Sequence, residues 1–273
     1  MRVRVAHASL EYKDSDKQHT HDIEKIFDRC VDRRVAWIMG TEAGPGSGNT
    51  AKELIRIARK HDYKPWVPSQ QSKAGGRGTD CWIAVRQDLI KSNWKTGYIP
   101  VLDSSDAMYD EMGVDRKFPR WGPKGIVWAS FGIESKLGRI SLGAGHHLTK
   151  GQRKGPSSVH ILDHWKLNEK LDRHFAEWMA EAGAGKDLVF ASMDRNASDR
   201  RNPASIEGAT TIADELKKWP DTSKVGDIDW ILSLDKDTRV KGVRYDVLND
   251  KEFFLNTDHF LLEATFQVDA LKH

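Results

Sequence analysis

Short apolar runs alternate with longer stretches of helical periodicity along the chain. The apolar runs are rich in Val, Ile and Trp, which is typical of β-strands, and they cover residues 3–10, 35–40, 81–85, 125–131, 139–143, 188–192, 228–232 and 261–268. Apolar residues recur at helical spacing in residues 20–33, 51–61, 159–182 and 212–218. This mixture of strands and helices predicts an α/β protein.

Three irregular segments separate these elements. Residues 103–124 scatter glycine and proline among charged and aromatic residues, which predicts a long surface loop. Two polar loops, 149–158 and 198–205, each follow a predicted strand end. The sequence contains no fixed-period repeat, low-complexity tract or long linker, so we expect one domain over residues 1–273.

Composition narrows the class of protein. Hydrophobic residues make up 38% and charged residues 30% of the 273, which excludes a disordered chain. No apolar run approaches the roughly 18 to 20 residues of a membrane span, and the first residues lack the apolar core of a secretory signal. We therefore expect a soluble, cytoplasmic monomer. Cys30 and Cys81 are too few for a disulfide framework or a cysteine zinc site, so both are predicted to be reduced and buried.

Groups that can carry chemistry gather at the ends of the predicted strands. They are Glu42, the pair His146-His147, the run Asp194-Arg195-Asn196, Asp229 within an apolar strand, and Asp258-His259. Hard oxygen ligands suit Mg²⁺ or Mn²⁺, and imidazoles suit a phosphate that must be held and protonated. Each signal alone is weak, because exposed acids are common, Asp and Asn favour turns, and either histidine could serve a structural role.

The order of Glu42, His147, Asp194-x-Asn196, Asp229 and Asp258-His259 resembles the endonuclease/exonuclease/phosphatase superfamily, over nearly the whole chain. The resemblance implies a four-layer α/β sandwich, in which two mostly antiparallel β-sheets pack face to face between outer helices, with the active site at one edge. It also implies divalent-metal-dependent hydrolysis of a phosphoric ester by a metal-activated water. A nuclease acting on DNA or RNA is our first expectation.

The same resemblance implies a role for each site residue. Glu42 and Asp258 would bind Mg²⁺ or Mn²⁺, and Asp194 would orient the water. His147, Asn196 and His259 would neutralise charge on the phosphate, with Asp229 orienting the ring of His259. Departures from the family pattern occur at Ser9, Thr41 and Met193, which replace the usual Asn, Gln and Gly. Glu11 lies two residues after Ser9 and faces the same way, so it is a further expected metal ligand.

Basic residues flank the candidate site in three segments, and the net charge of +3 means that any attraction to nucleic acid depends on such local clusters. We expect them to form a polyanion track in which Trp121 stacks on a base. The expected substrate contacts are Ser9, Arg120, Trp121, Lys150, Arg153 and Arg195. Two alternatives stay open: a phosphatase acting on a small phosphorylated molecule, and a catalytically inactive nucleic-acid-binding relative, which the change at Ser9 favours.

Overall fold

The computed structural model describes most of the chain, namely residues 1–10, 17–43, 49–68, 80–103, 105–113, 124–134, 137–148, 158–196, 206–224, 229–234, 239–248, 255, 257 and 259–270. The strands are β1 (Arg2–Ser9), β2 (Trp37–Thr41), β3 (Tyr63–Trp66), β4 (Trp82–Arg86), β5 (Ser92–Leu102), β6 (Lys124–Gly132), β7 (Arg139–His146), β8 (Leu188–Asp194), β9 (Ala209–Thr211), β10 (Asp229–Leu234), β11 (Val240–Leu248) and β12 (Leu261–Val268). The helices are α1 (Lys17–Asp32), α2 (Asn49–Lys60), α3 (Asp106–Met112), α4 (Ser158–Ala184) and α5 (Ile212–Leu216), with a 3₁₀ turn at Gln87–Leu89.

The strands form two six-stranded sheets, in the orders β11-β12-β1-β2-β4-β3 and β5-β6-β7-β8-β10-β9. Each sheet contains one parallel pair near its middle, β1 with β2 and β7 with β8, and the other pairs are antiparallel. The prediction of two mostly antiparallel sheets is therefore confirmed. Pro65 and Pro100 lie on edge strands, where a missing backbone donor costs no ladder hydrogen bond.

Alternation along the strands builds four layers. On β1, Val3 and Val5 belong to the core between the sheets, whereas Ala6 and Ala8 belong to the core beneath α1 and α2. The outer face of the second sheet packs on α3 and α4, with Met108, Tyr109, Leu171, Phe175, Val189 and Ala191 in that core. The arrangement is helices, sheet, sheet, helices, which confirms the predicted four-layer α/β sandwich.

Every predicted strand and helix lies on an observed one, but four observed strands were not predicted. These are β3, β5, β9 and β11, and they are the four outer strands of the two sheets. Their side chains are largely half-buried or exposed, as in β5 and β11, so they lack the continuous apolar run of a central strand. The sequence pattern therefore identified the middle of each sheet and missed its edges.

The expectation of a loop over residues 103–124 is wrong in its first half, where α3 forms. The Ser105 side chain accepts a hydrogen bond from the Met108 amide at the start of the helix, and Gly113 ends it in a left-handed conformation with φ of 61°. Residues 114–123 lie outside the described part of the chain. Both cysteines are buried and neither forms a disulfide bond in the described part of the chain, as predicted. Among the described helices, none combines the length and apolar character that a membrane crossing requires.

Candidate metal and phosphate site

The core between the sheets changes from apolar to polar towards one end. The side chains that β1 turns towards the second sheet are Val3, Val5, His7 and Ser9. Those that β8 turns towards the first sheet are Leu188, Phe190, Ser192 and Asp194. Alternate residues of a strand share a face, so the inward-facing positions of β1 and β8 are apolar along most of the strand and polar at its carboxyl end.

The two parallel pairs explain why these groups meet. Ser9 is paired with Thr41, so β1 and β2 end together and the next residue, Glu42, leaves the first sheet there. In the second sheet His146 is paired with Asp194, so β7 and β8 also end together. Since the sheets pack face to face, both carboxyl ends converge on one edge of the sandwich.

Asp194 is at the centre of this edge and is completely buried. Its Oδ2 lies 3.4 Å from Nε2 of His146 and 3.7 Å from Nε2 of His259. Burial raises the pKa of the Asp194 carboxyl, the nearby Asp229 raises it further, and the two imidazoles only partly oppose them. Asp194 therefore keeps its proton to a higher pH than Asp80 and Asp229, whose pKa values are lowered.

A first carboxylate–imidazole pair joins His259 to Asp229. Nδ1 of His259 donates to Oδ2 of Asp229 at 2.7 Å, which leaves Nε2 directed at Asp194. Burial would lower the pKa of His259, but the bond to Asp229 and the surrounding acids outweigh it and raise the pKa to about 10. The other oxygen of Asp229 is 3.1 Å from Nε2 of His7, whose Nδ1 is hydrogen-bonded to Ser192 at 3.0 Å.

A second pair joins His146 to Asp80. Nδ1 of His146 donates to Oδ2 of Asp80 at 2.7 Å, and Nζ of Lys124 donates to the same oxygen at 2.9 Å. Burial would raise the pKa of Asp80, but His146 and Lys124 outweigh it and hold that pKa far below its ordinary value. Burial would likewise lower the pKa of His146, yet Asp80 outweighs it and raises the pKa. Both imidazoles near Asp194 are therefore favoured in the cationic form.

Glu42 lies at the more open side of the cluster and is half-buried. Its Oε2 accepts a hydrogen bond from Oγ of Ser9 at 3.0 Å. Glu42 and Asn196, which follow β2 and β8, both have left-handed backbones, with φ of 59° and 50°. A non-glycine residue in this region is uncommon, and such conformations tend to cluster at functional sites.

The donor set fits a small divalent cation. Ligand atoms of Glu42, His146 and Asp194 lie within 4.8 Å of one another, and so do those of Asp194, Asp229 and His259. Oδ2 of Asp194 and Nε2 of His146 are buried and have no hydrogen-bond partner in the described part of the protein. A buried polar atom without a hydrogen bond is costly, and a coordinated cation would satisfy the carboxylate oxygen while an anionic oxygen such as that of a phosphate would accept from the imidazolium.

Comparison with known proteins agrees with the architecture. Neither a protein-family model nor a curated protein sequence matches the chain. Among solved structures, it is similar to TDP2 from D. rerio complexed with single strand DNA product, at a TM-score of 0.68 and 13% identity, covering 97% of this chain and 98% of the other. An endonuclease/exonuclease/phosphatase protein from Bacteroides vulgatus has a TM-score of 0.68 at 14% identity, covering 98% and 100%. The chain has the endonuclease/exonuclease/phosphatase fold.

Two further solved structures that are similar to this chain belong to different kinds of protein. The human Nocturnin catalytic domain with bound sulfate anion has a TM-score of 0.65 at 12% identity, covering 98% of this chain and 93% of that one. A mannosyl-6-phosphatase from Bacteroides thetaiotaomicron has a TM-score of 0.66 at 14% identity, covering 97% and 99%. These similarities confirm the resemblance inferred from the sequence at the level of the fold.

Within the endonuclease/exonuclease/phosphatase fold of this chain, four of the predicted site residues come together with Ser9. Glu42, Asp229 and His259 each bring a ligand atom within 4.8 Å of one on Asp194, whose Oδ2 forms no hydrogen bond among the described residues. Asn196 lies beside them, where its backbone amide donates to Oδ1 of Asp194. Glu11, Asp258, Arg120, Trp121, Lys150 and Arg153 lie outside the described residues.

The structure does not bring His147 or Arg195 to this cluster. His147 has the opposite strand parity to His146, so it faces α4, where Nε2 donates to Asp172 at 2.8 Å. Arg195 is buried, donates to the same carboxylate at 3.2 Å and stacks on Trp230 at 4.2 Å. Arg195 and His147 thus both face α4, and the imidazole that lies beside Asp194 is that of His146.

From the sequence we did not select Asp80, His7 or Ser192. We placed Lys124 only within a flanking basic segment, and we assigned the phosphate contact to His147, the neighbour of His146. One signal could have identified three of these residues, because His7, Ser192 and His146 continue the alternation of apolar residues on the inner faces of β1, β8 and β7. Asp80 and Lys124 carry no such signal. They meet His146 from positions 66 and 22 residues away along the chain, and only the tertiary fold brings them together.

Proposed function

We propose that this chain is a divalent-metal-dependent phosphoesterase that hydrolyses phosphodiester bonds in nucleic acid. One observation supports this most directly: two carboxylate–imidazole pairs direct their Nε2 atoms at the buried carboxylate of Asp194, and Glu42 lies beside it. The arrangement offers an anionic position for a cation and cationic donors for a phosphate in the same small volume. Metal-dependent hydrolysis of a phosphoric ester uses both.

Each residue has a distinct role in this proposal. Glu42, supported by Ser9, would hold the cation together with Asp194, and Asp258 and Glu11 remain proposed ligands. Bound Mg²⁺ or Mn²⁺ would supply a Lewis acid for the phosphoryl oxygen and an activated water. The raised pKa of Asp194 suits a carboxylate that orients water and accepts its proton. We expect a 5′-phosphate and a 3′-hydroxyl as products.

His146 and His259 are the proposed hydrogen-bond donors to the phosphate. Asp80 and Asp229 raise the pKa of each ring, so each imidazolium can donate from Nε2 to the negative charge that develops on the phosphate. Lys124 adds a positive charge behind His146 at 3.1 Å from its Nδ1. Asn196, whose side chain donates to the His147 carbonyl at 3.1 Å, holds the Asp194 segment in place.

Hydrolysis by the purified protein tests the proposal. Single-stranded, double-stranded and plasmid substrates are incubated with Mg²⁺, Mn²⁺ or a chelator. We expect activity with metal and none with the chelator. The variants Asp194→Asn and His146→Ala should each lower kcat by roughly 10²- to 10⁴-fold, as removal of a group that orients or transfers protons does.

His147→Ala and His174→Ala are the matched histidine controls. His174 is half-exposed on α4 and pairs with Glu177, so its variant should keep wild-type activity. His147→Ala should mainly lower the melting temperature, because it removes a buried partner of Asp172. Loss of kcat in His147→Ala with retention in His146→Ala would contradict the assignment of the phosphate-binding histidine.

A phosphatase acting on a small phosphorylated molecule is the second candidate. It is favoured by the similarity to the mannosyl-6-phosphatase, whose TM-score of 0.66 is close to the 0.68 of D. rerio TDP2. The same centre could act on a monoester, with the surrounding loops deciding what enters. Release of inorganic phosphate from sugar or inositol phosphates by protein that leaves all nucleic acids intact would select this function.

An inactive nucleic-acid-binding relative is the third candidate, favoured by Ser9 in place of asparagine. Calorimetric titration with Mg²⁺ or Mn²⁺ separates it from an enzyme. We expect binding that Glu42→Gln weakens, because Glu42 supplies a carboxylate to the cluster. Absence of any metal binding that depends on Glu42 would favour the inactive relative.

A further inference from the structure

Five arginine side chains line a cleft of about 320 Å³ on the first sheet. They are Arg2, Arg4, Arg33, Arg34 and Arg244, and Val243 and Thr265 complete the lining. We call this the arginine cleft. Its size falls at the lower end of the range of small-molecule pockets, which is about 300 to 1,000 Å³.

The arginine cleft lies far from Asp194. Arg2 and Arg4 alternate with Val3 and Val5, which face the core between the sheets, so the arginines face the opposite side of β1. Arg4 is five residues from Ser9, a distance of roughly 16 to 17 Å along the strand. The cleft therefore lies on another face and at the other end of the strand that contributes Ser9 to the candidate catalytic site.

Nearby carboxylates do not balance the arginine charge. Glu263 pairs with Arg29 at 3.1 Å and Arg33 at 3.5 Å, and Asp246 pairs with Arg244 at 2.6 Å. Arg2, Arg4 and Arg34 have no carboxylate within 4 Å in the part of the chain that the structure describes. Three like charges crowded without an acid repel one another, and an anionic ligand would remove that repulsion.

The backbone holds these groups in fixed positions. Arg4 donates a hydrogen bond from Nη1 to the carbonyl of Arg33, which ties β1 to the turn after α1. In that turn the Arg34 amide donates to Val31 at 2.9 Å, and Arg34 has a left-handed φ of 52°. Nε of Arg33 is buried and makes no hydrogen bond among the described residues. The side chain of Arg4 and the backbone of Arg34 are thus positioned before any ligand binds, which reduces the entropy lost on binding.

Guanidinium groups recognise phosphate by paired N–H donors in a planar fork. A phosphate group carries only about one to two negative charges at neutral pH, so neutralising three unbalanced arginines takes more than one phosphate. We propose that the arginine cleft is a second anion site that binds a ligand carrying at least two phosphate groups. The ligand is either the backbone of a nucleic-acid strand or a free polyphosphate, because both present the same chemistry to the arginines. The proposal does not depend on the proposed hydrolysis.

Binding measurements on the full chain in the presence of a chelator test the cleft without turnover. The probes are inorganic phosphate, tripolyphosphate and a fluorescently labelled single-stranded oligonucleotide. We expect tripolyphosphate or the oligonucleotide to bind well above inorganic phosphate, with an affinity that falls as salt rises. The double variant Arg2→Gln/Arg34→Gln should bind at least about tenfold more weakly, because charge-assisted hydrogen bonds are lost.

Two further variants distinguish specific recognition from general charge. Arg59→Gln/Arg173→Gln removes the same charge from exposed positions on α2 and α4 and should bind like wild type. Arg34→Lys keeps the charge but loses the planar fork, so we expect an intermediate affinity. Equal weakening in the Arg59→Gln/Arg173→Gln variant would show that only net charge matters and would overturn the proposal.

The two ligand sources give different results. Tripolyphosphate binding that the Arg2→Gln/Arg34→Gln variant loses identifies a free polyphosphate site. Binding of the oligonucleotide alone, lost in the same variant, identifies a backbone site. If neither probe binds, or the variant changes neither affinity, the arginine cleft is not a phosphate site. Hydrolysis by wild type and variant is measured separately, so failure of the cleft proposal is distinguishable from failure of the proposed enzyme.

Discussion

Asp172 links two chain segments on the outer face of the second sheet. Its two oxygens accept from His147 at 2.8 Å and from Arg195 at 3.2 Å. Nδ1 of His147 also lies 3.1 Å from the Arg195 carbonyl, and the His147 amide donates to the Asp194 carbonyl at 2.9 Å. His147 and Arg195, which both bind the Asp172 carboxylate, therefore help to position Asp194, although their side chains face away from the Asp194 side chain.

Asp172→Asn should destabilise the protein by about 3 to 5 kcal/mol at neutral pH. The substitution leaves the buried guanidinium of Arg195 without its carboxylate, and an uncompensated buried charge is strongly unfavourable. Urea unfolding of the wild type and variant at pH 7 measures the difference. A loss below about 0.5 kcal/mol, the size of an ordinary surface substitution, would contradict a stabilising role for this carboxylate.

The stability difference between wild type and Asp172→Asn should depend on pH. Burial would raise the pKa of Asp172, but His147 and Arg195 outweigh it and lower the pKa below its unfolded value of about 3.9. The stabilisation is therefore fully present above that value and is lost as the pH falls through the folded pKa. The stability gap between wild type and Asp172→Asn should be constant from pH 7 to 5 and narrow below about pH 4.

At the scale of elements, β7 and α4 approach so closely that one position tolerates only glycine. A Cβ on Gly143 would overlap the ring of Trp178, because it would lie well inside contact distance. Trp178 in turn packs on Phe175, with ring centroids 5.7 Å apart. The strand that ends at His146 is thus held in position by an aromatic side chain of the outer helix.

Gly143→Ala should cost about 1 to 3 kcal/mol, because the added methyl group displaces the indole in a close-packed core. Thermal unfolding and the near-ultraviolet signal of tryptophan measure the effect. Gly185→Ala is the control, since its Cβ would come no closer than 3.3 Å to another atom, and it should have a much smaller effect. Equal melting temperatures for the two variants would mean that Trp178 has room to move.

At the scale of the whole molecule, a cluster of three aromatic side chains packs between the two sheets. Phe190 of the second sheet lies 5.1 Å from Trp37 and 5.1 Å from Phe266 of the first sheet, measured between ring centroids. All three side chains are completely buried. The layer between the sheets is therefore a shared core, and we expect the two sheets to unfold together.

Phe190→Ala should destabilise the protein by about 3 to 5 kcal/mol and keep a single unfolding transition. Within each protein, far-ultraviolet circular dichroism and tryptophan fluorescence should report one and the same midpoint, which is lower in the variant than in the wild type. Val243→Ala, at a residue 42% exposed, should stay within about 0.5 kcal/mol of wild type. Two separate transitions would contradict the single domain expected from the sequence.

The sequence by itself determined the central strands and the long helices, whereas the four-layer architecture was expected only from the family resemblance. A strand or helix that buries one face repeats apolar residues at its own period, and this pattern is visible within the sequence of that element alone. The outer strands β3, β5, β9 and β11 bury too little to leave such a pattern, which explains why they were missed. Glu42, Asp194, Asp229 and His259 could be selected because they directly follow, begin or precede buried strands.

Only the tertiary structure decided which histidine faces Asp194 and which residues support it. A shift of one residue moves a side chain to the other face of a strand, so His146 and His147 exchange places if the end of β7 is misjudged. Asp80 reaches His146 across 66 residues of chain, and Arg2 reaches Arg34 and Arg244 across a sheet. Such meetings depend on strand pairing and sheet packing, for which a single sequence carries no local signal.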